Sequence, residues 1–539
     1  LQGDALWTCA VMDDLSDNAR VTRAAGVVGT ATLASRLLGY LRDMVIASFF
    51  GAGFASDAFI AAFRIPNLLR RLLGEGSLSI AFIPVFSDVL IHQGRTEAFR
   101  LAASCFRLLA AALILITLMG VWFTPALVYG VAYGFTDDPQ KFELCVHLTR
   151  IMIPYVLFIG LVALCMGILN VLGHFAAPAL APTLLNLSMI GAVLLFSWLS
   201  PSQVTRVTGL AVGVLAGGIL QLGLQLPFLL KKGVRFRVWG PWWHPAMKAI
   251  LLLMGPSLFG AAVYQINSLI LCLLGSFLPQ GSISYLYFAD RLVQFPLGIF
   301  AIAMATAVMP TLAQQSSTGQ SEQFRETFSH ALRMVFFIML PCMAGLIVLR
   351  EPIVALLFQR GAFDSEATHL TAGALLYYGI GLWAFAAVRI VLYAFYALKD
   401  TWTPVKIAVV SIVAHTILGL SFMGAMQHDG LALALSLSSM LNLGLLTAAL
   451  RKKMGAIGWR SIAWSVSRSA LCAGLMAASV WSVDSALGAV NPATALELML
   501  RLLICIFAGV AVYGILAWVL RLPEIKAIKP LVTMGTKQR

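Results

Sequence analysis

Long apolar runs recur along almost the whole chain and are separated by short polar segments. A helix needs about 20 mostly apolar residues to cross the hydrocarbon core of a bilayer, and these runs reach that length. The pattern therefore predicts an all-α polytopic membrane protein with 14 transmembrane helices. The predicted spans lie near 24–50, 55–91, 100–130, 146–172, 179–199, 205–230, 246–278, 282–314, 327–358, 368–398, 403–424, 429–451, 461–483 and 498–520.

Several of these spans are longer than a bilayer requires, so we expect them to tilt, break or protrude. Proline removes a backbone donor and clashes with the preceding turn, which favours a break at its position. The sequence predicts such breaks at Pro66, Pro84, Pro296 and Pro310.

Composition supports a membrane protein. The chain has 539 residues, of which 60% are hydrophobic and 11% are charged. A soluble domain carries about 25% charged residues, so this chain has too little polar surface for a water-soluble globule of its size. The eight cysteines form no CxxC pair and most lie in apolar runs, which is typical of small buried hydrophobic residues.

Basic residues are concentrated in alternate loops. One set of loops contains Lys231 and Lys232, whereas the other set is acidic or neutral and includes Asp137 and Asp138, with Lys141 among its few exceptions. The positive-inside rule then predicts that both termini are cytoplasmic. This distribution explains the net charge of +14 without nucleic-acid binding, since no basic patch with interleaved aromatic residues lies outside the spans.

The chain contains an internal repeat. Three pairs of segments match at offsets of 226, 226 and 221 residues: FIPVFSD (82–88) with VMPTLAQ (308–314), LNVLGHFAAP (169–178) with FYALKDTWTP (395–404), and LQLGL (220–224) with LNLGL (441–445). Because each copy would contain six helices, the copies predict two parallel six-helix repeats followed by two C-terminal helices. The predicted organisation is an N-terminal extension at 1–18, an N-lobe at 19–232, a C-lobe at 233–453, the last two spans at 454–524 and a cytoplasmic tail at 525–539.

Charged residues lie inside four of the predicted spans. They are Arg36, Arg42 and Asp43 in the first, Asp57, Arg64, Arg70, Arg71 and Glu75 in the second, Asp290 and Arg291 in the eighth, and Arg389 in the tenth. Each costs about 2.5–3.5 kcal/mol at the centre of a bilayer. We therefore expect them to line a water-filled cavity between the two halves. The alternative is that arginines and aspartates pair to hold helices together, and Arg70 and Arg71 could instead reach the cytoplasmic surface.

Arginine outnumbers the acidic residues in these spans. Guanidinium groups bind phosphate and carboxylate oxygens bidentately, so the excess favours an anionic ligand. No GxxxxGK[ST], HExxH or GxSxG motif is present and the histidines are isolated, which argues against an ATP site, an enzyme and a metal site. We expect a secondary transporter without a cofactor, and the sequence leaves the coupling ion open.

Several of these stretches resemble the MurJ (MviN) family of lipid II flippases, within the multidrug/oligosaccharidyl-lipid/polysaccharide exporter superfamily. The similar segments are SRLLGYLRD (35–43), DAFIAAFRIPNLLRRLLGEGSLSIAFIPVF (57–86), PALAPTLLNLSMIG (178–191), YFADRLVQFPLGIFAIAMATAVMP (287–310) and FYALKDTWTPVKIA (395–408). The resemblance implies transfer of lipid II, a lipid diphosphate carrying the peptidoglycan precursor, from the inner to the outer leaflet of the bacterial cytoplasmic membrane.

The resemblance also implies roles for particular residues. The family's cavity arginines correspond to Arg36, Arg42, Arg70 and Arg291, with Asp43 and Asp57 beside them. Charge placement adds further candidates: Arg64, Arg71 and Arg389 for substrate, and Glu75 and Asp290 for ion pairing. The last two helices would hold the lipid tail, and the expected partners are lipid II, membrane lipids and, as candidates, cell-wall synthesis proteins.

The expected mechanism is alternating access driven by an ion gradient or the membrane potential, because no ATP site is visible. One rival interpretation is another cargo within the superfamily, either a drug or cation exchanged by an antiporter or another lipid-linked oligosaccharide. A second is a membrane enzyme such as a lipid-II-using polymerase, which would elongate glycan rather than change the leaflet in which its substrate is found.

Overall fold

The computed structural model describes residues 3–72, 78–234, 241–455, 458–488 and 494–525. These residues are almost entirely helical and contain no β-strand. Backbone contacts divide the chain into two compact units, Leu1–Ile46 with Phe54–Gln265, and Ala47–Gly53 with Ile266–Arg539. We refer to them as the first unit and the second unit; the lobe boundaries expected from the repeat stay a prediction.

The first unit is built from ten helices, of which α1 and α10 continue into the second unit. They are α1 (Gly3–Phe50), α2 (Phe54–Leu72), α3 (Leu78–His92), α4 (Gly94–Trp122), α5 (Thr124–Val131), α6 (Pro139–Met152), α7 (Tyr155–Val171), α8 (Ala176–Leu199), α9 (Gln203–Lys231) and α10 (Met247–Ser276). Its hydrophobic core includes the stacked rings of Phe82 and Phe86, whose centroids are 5.1 Å apart, packed with residues of α4, α7 and α9.

The remaining helices belong to the second unit. They are α11 (Ser282–Pro296), α12 (Ile302–Ser317), α13 (Ser321–Val348), α14 (Arg350–Phe358), α15 (Ser365–Ile380), α16 (Leu382–Ala397), α17 (Trp402–Met454), α18 (Trp459–Gly488) and α19 (Ala495–Val519). Gln427 interrupts α17 with φ 51° and ψ −130°. In this unit the rings of Phe288, Phe358 and Phe363 are buried against one another, with Phe288 in the centre.

Nine helical segments within the described ranges are long and apolar enough to cross a membrane, or ten if α15 and α16, which meet at a bend of 43°, form one span. The chain is therefore a multi-pass helical protein, as the sequence predicts. Two predicted spans, 403–424 and 429–451, fall within α17, and those at 24–50, 55–91 and 246–278 are not among the nine. The count of 14 spans stays a prediction.

The prolines break the helices less often than expected. Helices α2, α3 and α12 continue through Pro66, Pro84 and Pro310, so the predicted breaks at these three positions are wrong. Neighbouring helices and local adjustments can satisfy the carbonyl groups that a helical proline leaves without a donor. Only Pro296 lies at a helix end, where α11 passes into a π-helical segment, Leu297–Ala301, before α12.

Helices α8 and α9 pack closely because α9 presents small residues every four positions. A Cβ added to Gly209 would lie 2.3 Å from Phe196, and one added to Gly213 would lie 2.8 Å from Ala192. Glycine spaced in this way lets two helix backbones approach each other inside a membrane. The glycines of α9 thus serve helix packing, as the sequence analysis expects of such residues.

A close backbone contact fixes the end of α1 within the second unit. The N–H of Ala362 donates to the carbonyl of Ser48 at 2.8 Å. Gly51 and Gly361 flank this contact with positive φ angles, and a Cβ on either would lie 2.3 Å from a backbone oxygen. Both positions therefore require glycine for conformation and for space.

The turns after α7 and α16 have the same geometry. Gly173 and Lys399 both adopt positive φ, at 74° and 57°. In each turn the following N–H bonds to the carbonyl five residues earlier, at 2.8 Å from His174 and 3.0 Å from Asp400. This hydrogen bond is typical of a Schellman turn at a helix C-terminus. The two turns are 226 residues apart, which is the offset that the internal repeat predicts.

Candidate functional site

In the first unit, Arg42 is held by a buried network. Its Nε and Nη2 atoms donate to Oδ1 of Asp43 at 3.0 and 2.7 Å, and its Nη1 donates to Oδ1 of Asn186 at 3.1 Å. Arg42 is 8% exposed and Asp43 is 2% exposed. The charge of Arg42 is therefore compensated inside the lobe by an adjacent carboxylate, as the pairing alternative predicts. The seven-residue spacing of Arg36 and Asp43 does not identify this partner.

Asn186 connects α8 to two positions on α1. While its Oδ1 accepts from Arg42, its Nδ2 donates to the backbone carbonyl of Ser35 at 3.1 Å. Gly39 lies between these two contacts, and a Cβ added there would be 3.8 Å from Nδ2 of Asn186. The amide thus covers one face of α1 over about two turns.

Arg36 differs from Arg42 in its surroundings. Its side chain is exposed, and it makes no hydrogen bond or ion pair with the residues whose side chains the structure describes. Of the two arginines expected on α1, only Arg36 thus carries a charge that its own unit leaves uncompensated.

A second buried ion pair joins α2 to α6. Nζ of Lys141 lies 2.9 Å from Oδ2 of Asp57, and their side chains are only 9% and 2% exposed. The ammonium also lies 4.4 Å from the centre of the Phe135 ring, a cation–π arrangement. The expected role of Asp57 in ion pairing is consistent with this contact, although its partner is a lysine that the sequence analysis treats as an exception to the loop charges.

The remaining charges of α2 lie near its C-terminal end. Arg64, Arg70 and Arg71 are all half-buried, and Nε of Arg70 donates to Oδ1 of Asn67 at 3.0 Å. An arginine held by a neutral amide keeps its positive charge available to an anion. The expected partner Glu75 lies outside the described residues.

In the second unit, α11 carries Asp290 and Arg291, both half-buried. Nη2 of Arg291 donates to the hydroxyl of Tyr287 at 3.0 Å, and its Cζ lies 4.8 Å from the centre of that ring. Oδ1 of Asp290 accepts a long hydrogen bond of 3.4 Å from Gln294. Tyr287 therefore orients Arg291 through a neutral contact.

Arg389 lies on α16 and is half-buried. It forms no hydrogen bond or ion pair with the residues whose side chains are described. Like Arg36, it retains an uncompensated charge within its own unit.

The structure adds three residues that the sequence analysis does not assign to the site: Lys141, Asn186 and Tyr287. The tyrosine is four residues before Arg291 on the same helix, so helical spacing could have identified it. The other two make their contacts across 84 and 144 residues of sequence, which no local pattern specifies. Within the described ranges, no group of three or more histidine, cysteine, aspartate and glutamate side chains could hold a metal ion.

Comparisons with known proteins agree with this geometry. The family model described as "Lipid II flippase MurJ" matches residues 46–501. A Vibrio cholerae protein named "Probable lipid II flippase MurJ" is 38% identical over 490 residues, which cover 88% of this chain and 91% of the relative. A Burkholderia cenocepacia protein named "Lipid II flippase MurJ" is 35% identical over 506 residues, covering 92% of this chain and 97% of the relative.

Solved structures show the same similarity. A structure titled "Lipid II flippase MurJ, inward closed conformation" matches with a TM-score of 0.76 and 25% identity, and the match covers 92% of this chain and 99% of that chain. An inward-facing multidrug transporter of the MATE family matches in fold alone, with a TM-score of 0.68 and 14% identity over 80% of this chain and 98% of that chain. By the extent of the family match and the identity to full-length relatives, this chain belongs to the MurJ family of lipid II flippases.

Proposed function

We propose that this chain flips lipid II from the inner to the outer leaflet of the bacterial cytoplasmic membrane. The observation that carries this function is its similarity, along nearly the whole chain, to relatives named as lipid II flippases. Like them, it is a multi-pass helical membrane protein. Its activity is transport between leaflets, and no chemical bond of the substrate is made or broken.

The charges of the first unit support an anionic cargo. Five arginines and Lys141 accompany only two aspartates among the described site residues of this unit: Arg36, Arg42, Arg64, Arg70, Arg71, Asp43 and Asp57. Both aspartates are occupied by buried cations. The positive charge that remains suits a diphosphate, because guanidinium groups bind phosphate oxygens through paired hydrogen bonds. In the second unit, Arg291 and Arg389 would contribute to the same recognition.

Transport by alternating access would carry the polar headgroup through the protein while the prenyl tail stays in the lipid. Burial of each CH₂ group is favourable by about 0.8 kcal/mol, which opposes moving the tail through a polar path. The last two helices, α18 and α19, are our candidates for the surface along which the tail moves.

The energy source would be the membrane potential or an ion gradient. A potential of 100 mV supplies about 2.3 kcal/mol for each charge that crosses the membrane. With the cytoplasm negative, this term favours outward movement of a bound diphosphate or inward return of the empty, positively charged site. A potassium diffusion potential imposed on proteoliposomes tests this part of the proposal, and a transport rate that does not depend on its sign would contradict it.

The function itself is tested with the purified full-length chain in liposomes that contain labelled lipid II. The readout is the fraction of lipid II that an external enzyme or binding protein can reach over time. We expect accessibility to rise faster than in protein-free vesicles. Replacing Arg291 with Ala should slow the rise, whereas Lys406→Ala, at an exposed position on α17, should not.

A second arm uses an undecaprenyl-linked oligosaccharide that lacks the peptide. Equal transport of both lipids would mean that the cargo is a wider class of lipid diphosphates. No transport of lipid II by the unmodified chain would contradict the proposed function.

A further inference from the structure

We propose that Arg42 is a positioning residue, withheld from the substrate by Asp43 and Asn186, and that this network orients α1 so that Arg36 contacts the lipid diphosphate. The inference rests on the proposed function for the identity of the ligand. It separates two arginines that the sequence analysis places together in the substrate site, and it gives Asn186 a role.

The hydrogen bonds of Arg42 support the first part of this inference. All three guanidinium nitrogens donate to side chains of its own unit, two to Asp43 and one to Asn186. Asp43 is 2% exposed. If Arg42 turned to a phosphate, it would leave a buried carboxylate without its cation, which is strongly unfavourable. The network therefore opposes direct recruitment of Arg42 by the ligand.

The geometry of Asn186 supports the second part. Its two contacts and the position of Gly39 place residues 35, 39 and 42 on the face of α1 that meets α8. Consecutive residues are about 100° apart around a helix. Fixing this face therefore fixes the rotation of α1 about its own axis, and with it the direction of Arg36. Arg36 is exposed and has no partner among the described side chains.

Asparagine suits this position for a chemical reason. Its amide supplies an acceptor for the Arg42 guanidinium and a donor for the Ser35 carbonyl at the same time. Aspartate could make the first contact but would lack the donor for the second. Leucine of similar size would make neither contact and would leave polar groups of α1 unsatisfied.

The experiment measures initial flipping rates over a series of lipid II concentrations, together with the Tm of each purified variant. We expect Arg36→Ala to raise KM by about tenfold or more, as the loss of a charged hydrogen bond predicts, with no change in Tm. Arg42→Ala and Asn186→Leu should lower Tm and kcat. Lys406→Ala is the matched control for removal of an exposed cation.

An exchange of side chains tests the network itself. Asp43→Asn leaves Arg42 without a carboxylate, and Asn186→Asp gives it two. The double variant D43N/N186D again surrounds the guanidinium with one carboxylate and one amide. We expect each single variant to lower Tm and the double variant to recover most of the loss, with KM near that of the unmodified chain.

The opposite assignment predicts different results. If Arg42 bound the diphosphate, Asp43→Asn would release its guanidinium and lower KM. That result, an unchanged KM in Arg36→Ala, or a double variant no more stable than the single variants would overturn the inference. The Tm measurements do not depend on the cargo, so they remain decisive for the network even if the unmodified chain fails to flip lipid II.

Discussion

The ammonium of Lys141 on α6 lies 2.9 Å from the carboxylate of Asp57 on α2, and both side chains are almost completely buried. The charges are 84 residues apart in sequence. A buried pair of this kind contributes little net stability compared with well-packed apolar residues, but the loss of one partner leaves an uncompensated charge. Asp57 is therefore better explained as part of the connection between α2 and α6 than as a substrate ligand.

The first prediction follows from this pair. Replacing Lys141 with Met should lower the free energy of unfolding by about 3–5 kcal/mol, because Asp57 is left as a buried anion. The double variant D57N/K141M should recover much of the loss. The Tm of detergent-purified protein is the measurement, with Lys248→Met, at an exposed position, as the control. Equal Tm values for the two single lysine variants would contradict the structural role of the pair.

The second prediction concerns the orientation of Arg291. The Tyr287 hydroxyl accepts a hydrogen bond from its guanidinium, and the tyrosine ring lies close to its Cζ atom. We expect Tyr287→Phe to reduce the flipping rate by about threefold to tenfold, since a hydrogen bond to a charged group is lost while the ring remains. Tyr287→Leu should reduce it further, because the cation–π contact is lost as well.

Flipping rates in proteoliposomes measure this effect. Tyr393→Phe, on the half-buried surface of α16, is the control for removal of a tyrosine hydroxyl. A Tyr287→Phe variant as fast as the control would show that the hydroxyl does not assist Arg291.

The third prediction concerns how the C-terminal helices are held. Glu524, which follows α19, is 1% exposed, and its Oε1 accepts a 2.8 Å hydrogen bond from Ser465 on α18. Nε of Arg333 on α13 lies 3.8 Å from the same oxygen. Ser465→Ala should therefore lower the free energy of unfolding by about 1–3 kcal/mol, because a buried carboxylate loses a donor.

The comparison is with Ser467→Ala on the same helix, where the hydroxyl is exposed and bonds to its own helix backbone. The Tm should fall for Ser465→Ala and stay unchanged for Ser467→Ala. Equal effects of the two substitutions would mean that the contact with Glu524 does not stabilise the attachment of α19.

The fourth prediction is a pH dependence at the turn before α17. Lys453 lies 2.8 Å from Asp400, and this contact, with hydrogen bonds from Thr403, lowers the pKa of Asp400 from 3.8 to about 2. A carboxyl group whose pKa is depressed in the folded state stabilises the protein above its unfolded pKa, and this contribution is lost as the pH falls through its folded pKa.

We therefore expect a decrease in Tm as the pH falls from about 4 to about 2. The decrease should be smaller in Lys453→Ala, which removes the cation. Lys452→Ala, at the adjacent exposed lysine, should retain the full pH dependence. Identical pH profiles for the two lysine variants would contradict this origin of the pKa shift.

The sequence predicts the class of fold well because apolar length and charge placement are local properties of the chain. Every predicted span corresponds to one or more observed helices, whereas the ends and breaks depend on tertiary contacts. Helix α2 continues through Pro66, since packing can compensate for a missing backbone donor. By contrast, the turns at Gly173 and Lys399 follow the predicted repeat offset because turn geometry is encoded within a few residues.

The site was predictable as a set of charges but not as a set of pairs. Heptad spacing indicates which residues share a helix face, yet it assigns neither Asn186 to Arg42 nor Lys141 to Asp57. Both partners lie on other helices, and their approach depends on how those helices pack. The sequence also could not separate Arg36 from Arg42, because their difference is one of burial: one is exposed and the other is 8% exposed.

The burial of the thiols has a practical consequence for spectroscopy. Of the seven cysteines whose side chains are described, six are buried and Cys342 is half-buried. Maleimide and nitroxide reagents react with accessible thiolates and only slowly with enclosed thiols. A single cysteine introduced at an exposed site such as Lys406 should therefore take up a label selectively in the native background. Pairs of such labels would allow distances to be recorded during turnover without first constructing a cysteine-less protein.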